Sequence, residues 1–449
     1  MGFDNMKVLT VGGGAREHVI VKKLADDGAE IYSVMGNKNP GIARLAEEYI
    51  LESGSNIQKV VDWGNEKDIE LAVVGPEAPL GEGIVDALEE NGIKCASPSK
   101  DAAKIETSKE FMRNLMAKYD LLGSVEYHTF DNIEEIEDFL AHYEGDLAVK
   151  PVGLTGGKGV KLMGEHLNSK KEVIDYCRKV LEEEIGGKAR LVLEEKLVGE
   201  EFTLQAFTDG KNLIPMPLVQ DHKRLFEGDD GPNTGGMGSY SQSDGLLPFL
   251  NKKIYDESVD IMEKTLEALR KDGRPYKGVL YGQFMLTKEG PKIIEFNCRW
   301  GDPEAMNVLP LLENNYVELC EKMAEGDISD VDVSFQKRAS VCKYVVPEGY
   351  GIDPEGGHKV EVDEEAVEKE GAQLYYASVD ERDGDIYTTT SRSLAVVGFS
   401  KDMSKAEEAS EKALSHVKSN KIQMRHDIGK QESIQRKIEN MKEIRGENR

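Results

Sequence analysis

Cysteine is scarce in this chain of 449 residues: five in all, Cys95, Cys177, Cys298, Cys320 and Cys342, scattered and never in a Cys-x-x-Cys pair. An odd, dispersed set excludes a disulfide frame and a cysteine zinc site, and reads as reduced thiols in a cytoplasm. Long apolar runs are missing, so the chain neither spans nor enters a membrane. The N-terminus lacks a basic region followed by an apolar one, which argues against secretion. Met6 stands where a myristoylation signal would carry Ser or Thr. Positive charge is the minority: 57 Lys and Arg against 84 Asp and Glu, a net −27. Phosphate backbones need clustered cations, so a broad nucleic-acid footprint is disfavoured. The two tryptophans, too few for a stacking surface, read as packing residues.

What is present is ordinary globular material, 39% hydrophobic and 31% charged, in a length that exceeds one core and predicts two to four domains. Lys7–Val11, Glu30–Met35, Leu71–Val74 and Ile93–Ala96 are short apolar runs separated by helical stretches and ending in Gly, Asn or Pro. Alternation of this kind predicts βαβ units and a parallel sheet over residues 1–102, with ligands beyond the carboxyl ends of its strands. A second unit starts near Ala103. It contains a strand ending at Lys150, a glycine-rich loop at 153–159, a strand ending at Glu194-Glu195, a glycine-dense loop at 231–241 and a surface helix over Ile254–Arg270. A third segment begins near Arg338, with a capping box expected at Ser404–Glu407. Residues 431–449 are charged throughout and read as an exposed or frayed helix.

The most informative stretch is Lys292–Glu304, IIEFNCRWGDPE after the lysine. Glu295 and Asn297 are two apart on a strand and so share a face, offering the hard oxygens that Mg²⁺ prefers when it is also held by phosphates. Arg299, Asp302 and Glu304 follow on a Gly-Pro turn and could hold an anionic substrate beside the metal. Three glycine-rich elements compete as phosphate loops. Gly12–His18 departs from the dinucleotide fingerprint because Glu17 replaces its third glycine, which favours a single-phosphate substrate over nicotinamide. The 153–159 loop is no Walker A element, since Gly159 follows Lys158. With Lys150 fixed on a strand and Lys158 on a loop, the two could clamp a triphosphate from two sides.

In order and spacing these pieces resemble the ATP-grasp superfamily and, within it, the phosphoribosylamine–glycine ligase family. The resemblance covers residues 6 to about 430. It rests on GGGAREH (12–18), GPEAPL (75–80), GLTGGKGV (153–160), QDHKR (220–224), GPNTGGMG (231–238), EFNCRWGDPE (295–304) and RHDIG (425–429). Four departures from the family pattern, at Pro151-Val152, Thr155-Gly156, Gly349–Asp353 and His426, remove no ligand.

The resemblance implies an α/β protein. It would comprise an N-terminal parallel-sheet domain (1–102), an ATP-grasp domain (103–335) with a mobile lid over about 123–198, a small α+β C-terminal domain (336–430) and a charged tail (431–449). It implies Glu295, Asn297 and Gln283 as ligands of Mg²⁺ or Mn²⁺, and Lys109, Lys150 and Lys158 as the ATP phosphate clamp. Glu194, Glu195 and Leu197 would line the adenine, with Glu200 or Glu201 on the ribose. Asp221, Lys223, Asn233 and Arg299 would hold phosphoribosylamine and glycine, while Gly14, Arg16, Glu17 and Glu77 would form the sugar-phosphate end. Arg299, Asp221 and Lys158 would carry the chemistry in a cytoplasmic enzyme acting on small molecules, monomeric or weakly oligomeric. The rival readings are a carboxylase or formate-using relative, a nicotinamide oxidoreductase and a non-catalytic nucleotide sensor.

Overall fold

The computed structural model describes residues 5–156 and 159–447, and Gly157 and Lys158 lie outside them. The first sheet holds β1 (Lys7–Val11), β2 (Glu30–Met35), β3 (Glu48–Leu51), β4 (Leu71–Val74) and β5 (Lys94–Cys95), all parallel in the order β3-β2-β1-β4-β5. Its central strands are buried on both faces, as parallel strands covered by helices must be. The strand expected at Ile93–Ala96 is only two residues long. The edge strand β3 escaped the sequence reading because its residues are half-exposed and carry no buried stripe.

Four strands form the floor of the second unit, in the order Leu213–Pro215, Glu200–Asp209, Lys277–Thr287, Gly290–Asn297. A second sheet, Tyr127–Phe130, Leu191–Glu195, Leu147–Pro151 and Lys161–Leu162, packs helices Ile133–His142 and Lys170–Glu182 around a core of its own that includes Ile136, Val149, Cys177 and Leu191. The expected surface helix runs Lys252–Lys271, capped by the Asn251 side chain on the Ile254 N–H.

The glycine-dense loop at 231–241 is more ordered than expected. Asp230–Asn233 pairs with Arg224–Phe226, and Gly238–Ser241 pairs with both Gln220–Asp221 and Ala339–Pro347. One sheet therefore runs from Gln220–Asp221 through Gly238–Ser241 and Ala339–Pro347 to Leu394–Ser400 and Ala372–Tyr376. A hairpin pairs Val379–Arg382 with Asp385–Thr388.

Two local expectations fail. The helix Met403–Leu414 is capped by Asp402, whose carboxylate accepts from the Lys405 N–H, so Ser404 already lies inside the helix. The tail is neither loose nor fully exposed: Gln431–Arg445 is a helix that buries Ser433, Ile434 and Met441 against the Glu200–Asp209 and Lys277–Thr287 strands. Ile434, Ile438, Met441 and Ile444 recur at helical spacing, a stripe that the dense charge around it overshadowed in the sequence. Among the described residues no helix is long and apolar enough to cross a membrane.

Candidate active site

The strand Gly290–Asn297, which carries Glu295 and Asn297, is shaped by a bulge. Lys277–Thr287 and Gly290–Asn297 pair antiparallel with Gln283 opposite Glu295 and Phe284 opposite Ile293, which leaves Ile294 unmatched. The bulge re-aims the strand end, and its carbonyls find partners elsewhere. Arg113 donates to the Ile293 carbonyl at 3.1 Å and to the Ile294 carbonyl at 2.9 Å, and Lys150 reaches the Ile294 carbonyl at 3.3 Å. Glu194 completes this buried knot, taking a two-pronged bond from Arg113 (2.7 and 2.8 Å) and lying 2.6 Å from the Lys150 ammonium. Burial opposes its charge, yet the two cations hold its carboxyl at about 2.

Glu295 accepts no hydrogen bond among the described residues. Burial would raise its carboxyl, but Lys223, Lys109, Lys150 and Arg299 together hold it below the ordinary carboxylate value. An ionised carboxylate facing four cations, with its lone pairs unused, suits a divalent cation shared with phosphate oxygens. Asn297 sits on the same face, its oxygen met only by a long 3.4 Å contact from Arg299. Gln283 is beside them but otherwise occupied: its oxygen accepts from the Tyr281 hydroxyl, and its amide donates to Glu201 at 3.0 Å. The Glu295 carboxylate and the weakly engaged Asn297 amide oxygen fit Mg²⁺, which keeps several waters and phosphate ligands.

Across the floor, Glu201 takes the Lys223 ammonium and the Gln283 amide on one oxygen, each at 3.0 Å. Asp221 lies alongside, with one buried carboxylate oxygen lacking a partner among the described residues. Burial pushes its carboxyl up to about 7 against the pull of Lys223. Glu304 accepts from Thr203 (3.1 Å) and Tyr281 (2.8 Å), and Asp302 from Tyr344 (2.6 Å) and Arg392 (2.9 Å). Those two acids, expected to face substrate, are committed to the protein. Arg392 also donates to the Gly235 and Gly236 carbonyls, which ties the last segment to the glycine-dense loop.

At the other end Arg299 donates to Glu106 at 2.8 Å and to Glu77 at 3.3 Å. Burial would raise Glu77, but Arg299 and Arg16 hold it at about 2. Arg16 reaches the Trp300 carbonyl at 3.3 Å, so both arginines converge on one turn. Glu17 fills the Gly12–Gly14 loop, accepting from the Gly14 N–H at 2.7 Å and from Arg16 at 2.6 Å. A Cβ at Gly12 would come within 2.6 Å of Glu17, and one at Gly75 within 2.1 Å. The glycines at the ends of β1 and β4 thus make room for a carboxylate, and the Gly14 N–H is not free for phosphate.

The remaining candidates are placed as follows. Lys109 is buried and donates to the Gly153 carbonyl at 2.9 Å; burial lowers its ammonium. Glu195 accepts from the Glu126 N–H at 3.0 Å, and Leu197 is half-buried beyond it. Asn233 ends its short strand opposite Arg224. Lys158 is outside the described residues. Glu200 is the exception to the gathering: next to Glu201 on a strand, it points to the opposite face, where it meets Lys437 and Asn440 of the C-terminal helix. His18 and His222 are also turned away from the cluster. His18 accepts from the Tyr376 N–H at 2.9 Å, and His222 lies against Tyr240. Trp300 packs on Phe207 and Tyr316, as expected. Sequence reasoning missed Glu106, Arg113 and Arg392, because only the fold brings residues so far apart to the same strand end.

Comparison with known proteins gives consistent matches. Residues 6–106, 107–305 and 340–431 match the families described as the N domain, the ATP-grasp (A) domain and the C domain of phosphoribosylglycinamide synthetase. The phosphoribosylamine–glycine ligase of Methanothermobacter thermautotrophicus is 52% identical over 440 residues, 98% of this chain and all of that protein. The one from Methanocaldococcus jannaschii is 50% identical over 445 residues, again 98% of this chain and all of the relative. Among solved structures, phosphoribosylamine–glycine ligase from Thermotoga maritima superposes with a TM-score of 0.79 at 28% identity, covering 94% of this chain and 99% of that one. The biotin carboxylase domain of Hydrogenobacter thermophilus 2-oxoglutarate carboxylase, solved with MgADP and bicarbonate, shares the fold at TM-score 0.73 and 16% identity, over 97% of this chain and 94% of its own.

Proposed function

The chain belongs to the phosphoribosylamine–glycine ligase family, and from that premise we propose that it joins glycine to 5-phosphoribosylamine with cleavage of ATP to ADP and phosphate, in purine biosynthesis. The products are glycinamide ribonucleotide, ADP and phosphate. In the first step a glycine carboxylate oxygen attacks the γ-phosphorus and the bond to the ADP oxygen breaks, leaving glycyl phosphate. In the second the amine nitrogen attacks the glycyl carbon, phosphate departs, and the nitrogen loses a proton.

The observation that carries this reading is the Glu295 carboxylate, held ionised by Lys223, Lys109, Lys150 and Arg299 and accepting no hydrogen bond among the described residues. Glu295 and Asn297 would hold Mg²⁺, which supplies charge neutralisation at the transferred phosphoryl. Lys150 and Lys109 approach from the second sheet and the helix beside it, where a triphosphate can be positioned; Lys158 would close on it from the glycine-rich loop. Lys223 and Glu201 would orient the nucleotide sugar and the phosphoryl end of the cleft. Arg299, braced by Glu77 and Glu106, would take the glycine carboxylate with its planar fork. No side-chain nucleophile is needed, since positioning and electrostatics suffice. Replacing Gln283 or Glu200 should affect the reaction only indirectly, because their polar atoms face protein partners. The test is ADP release that depends on glycine and phosphoribosylamine together.

A further inference from the structure

Glu200 and Glu201 divide one strand end between two tasks. Glu201 faces the cleft with Lys223 and Gln283. Glu200 faces away and is buried under the helix Gln431–Arg445, where Asn440 donates to it at 2.5 Å and Lys437 lies 3.2 Å from it. Lys437 also donates to Asp229 at 2.6 Å, and Arg425 holds the other Asp229 oxygen at 2.9 Å. Asp229 sits between the paired strands Arg224–Phe226 and Asp230–Asn233, whose flanks carry Lys223 and Asn233. One ammonium therefore ties together the strand that carries Glu201 and the hairpin that follows Lys223. Ile434, Ile438, Met441 and Ile444 anchor the helix in the main core. This helix lies beyond the matched C domain, which ends at residue 431.

We propose that the C-terminal helix is a positioning element of the nucleotide site, with Lys437 its positioning residue. It acts through Glu200 and Asp229 on the orientation of Glu201 and Lys223, not by touching substrate. The inference rests on the reading that Glu201 and Lys223 meet the nucleotide. Supporting groups of this kind characteristically change affinity or activity by about tenfold or more when removed, even though they contact no ligand.

The experiment compares Lys437→Met, Lys437→Arg and Glu201→Gln in the full chain, with KM for ATP and for glycine, kcat and melting midpoint measured for each. Met keeps the length of the stem and its packing. Lys437→Met is expected to raise the ATP KM about tenfold, leaving the glycine KM and kcat within about twofold. Lys437→Arg is expected to restore most of the loss, since it can bridge both carboxylates. Should Lys437→Met fold poorly, Asn440→Ala, which spares the charge pairing, carries the same expectation at smaller size. An unchanged ATP KM in folded Lys437→Met overturns the inference when Glu201→Gln still raises it. If Glu201→Gln leaves the ATP KM unchanged, the underlying reading of the nucleotide site fails instead. A uniform fall in kcat with all KM values unchanged would also overturn it, as that is what loss of folded protein alone produces.

Discussion

Arg299 donates to Glu106 at 2.8 Å, so the turn that follows the strand Gly290–Asn297 is fastened to the short helix Lys104–Thr107 leaving the first sheet. Glu106 also accepts the Cys298 N–H at 2.7 Å, which fixes the turn from two directions. The guanidinium is thereby pre-oriented, with Glu77 on its Nε and the cleft beyond. Pre-organisation of this kind reduces the ordering cost when a substrate carboxylate arrives.

Arg299→Lys should raise the glycine KM at least about tenfold, because a point-like ammonium cannot span Glu106, Glu77 and a substrate carboxylate at once. Steady-state kinetics with varied glycine would check it. A glycine KM equal to the parent's would detach Arg299 from the acid substrate.

Glu295→Gln keeps the shape of the side chain and removes the charge that faces four cations. Turnover at saturating Mg²⁺ should fall at least about 100-fold, comparable to losing one strong transition-state electrostatic contact. No hydrogen bond to the side chain is lost among the described residues, so the folded state should persist in circular dichroism. Parent-level turnover would remove Glu295 from the metal site.

Lys150→Ala breaks a buried contact with Glu194 and one with the bulged Ile294 carbonyl. Arg113 still holds Glu194, which limits the loss of stability to about 1–3 kcal/mol. The ATP KM should rise because the ammonium would hold the phosphates in the ground state, and kcat should fall as well because that contact would strengthen as charge shifts on the transferring phosphoryl. Denaturant unfolding and ATP-dependent kinetics would separate the two effects, and a stability loss with normal kinetics would make Lys150 purely structural.

Acidification should loosen the contact between the first sheet's helix and the last segment. Burial lowers the His18 imidazole from 6.5 to about 4, and His222 likewise to about 4. The unfolded chain therefore binds more protons than the folded one between those values, and stability falls as pH drops from 6.5 toward 4. Protonation of His18 would also cost its bond from the Tyr376 N–H. The melting midpoint should decline between pH 6.5 and 5, before most carboxylates titrate. His18→Gln should flatten that decline, and an equally steep fall in the variant would place the proton uptake elsewhere.

Much of the first sheet was legible because buried parallel strands read as short runs rich in β-branched and apolar residues ending in glycine, as Lys7–Val11 and Leu71–Val74 do. Glu295 and Asn297 were legible because strand alternation alone puts them on one face. The bulge at Ile294 was not, since nothing in Lys-Ile-Ile-Glu marks which residue goes unpaired. Glu200 and Glu201 were indistinguishable in sequence, and only the pairing register and the C-terminal helix tell the outward carboxylate from the inward one. The partners of Arg299 and Asp302 come from segments tens to hundreds of residues away, so charge patterning could not assign them. Asp302 and Glu304 looked available for substrate because their hydroxyl and arginine partners are distant in the chain.

The most direct test of the account is ADP release by the full chain with ATP and Mg²⁺, comparing glycine, alanine, formate and bicarbonate, each with and without freshly generated phosphoribosylamine. The account predicts sustained ADP formation only with glycine and phosphoribosylamine together. Alanine should be used about 10–200-fold less well, since one extra methyl in a substrate pocket costs about 1–3 kcal/mol. ADP release driven by bicarbonate, with none driven by glycine, would contradict the ligase assignment and favour a carboxylase.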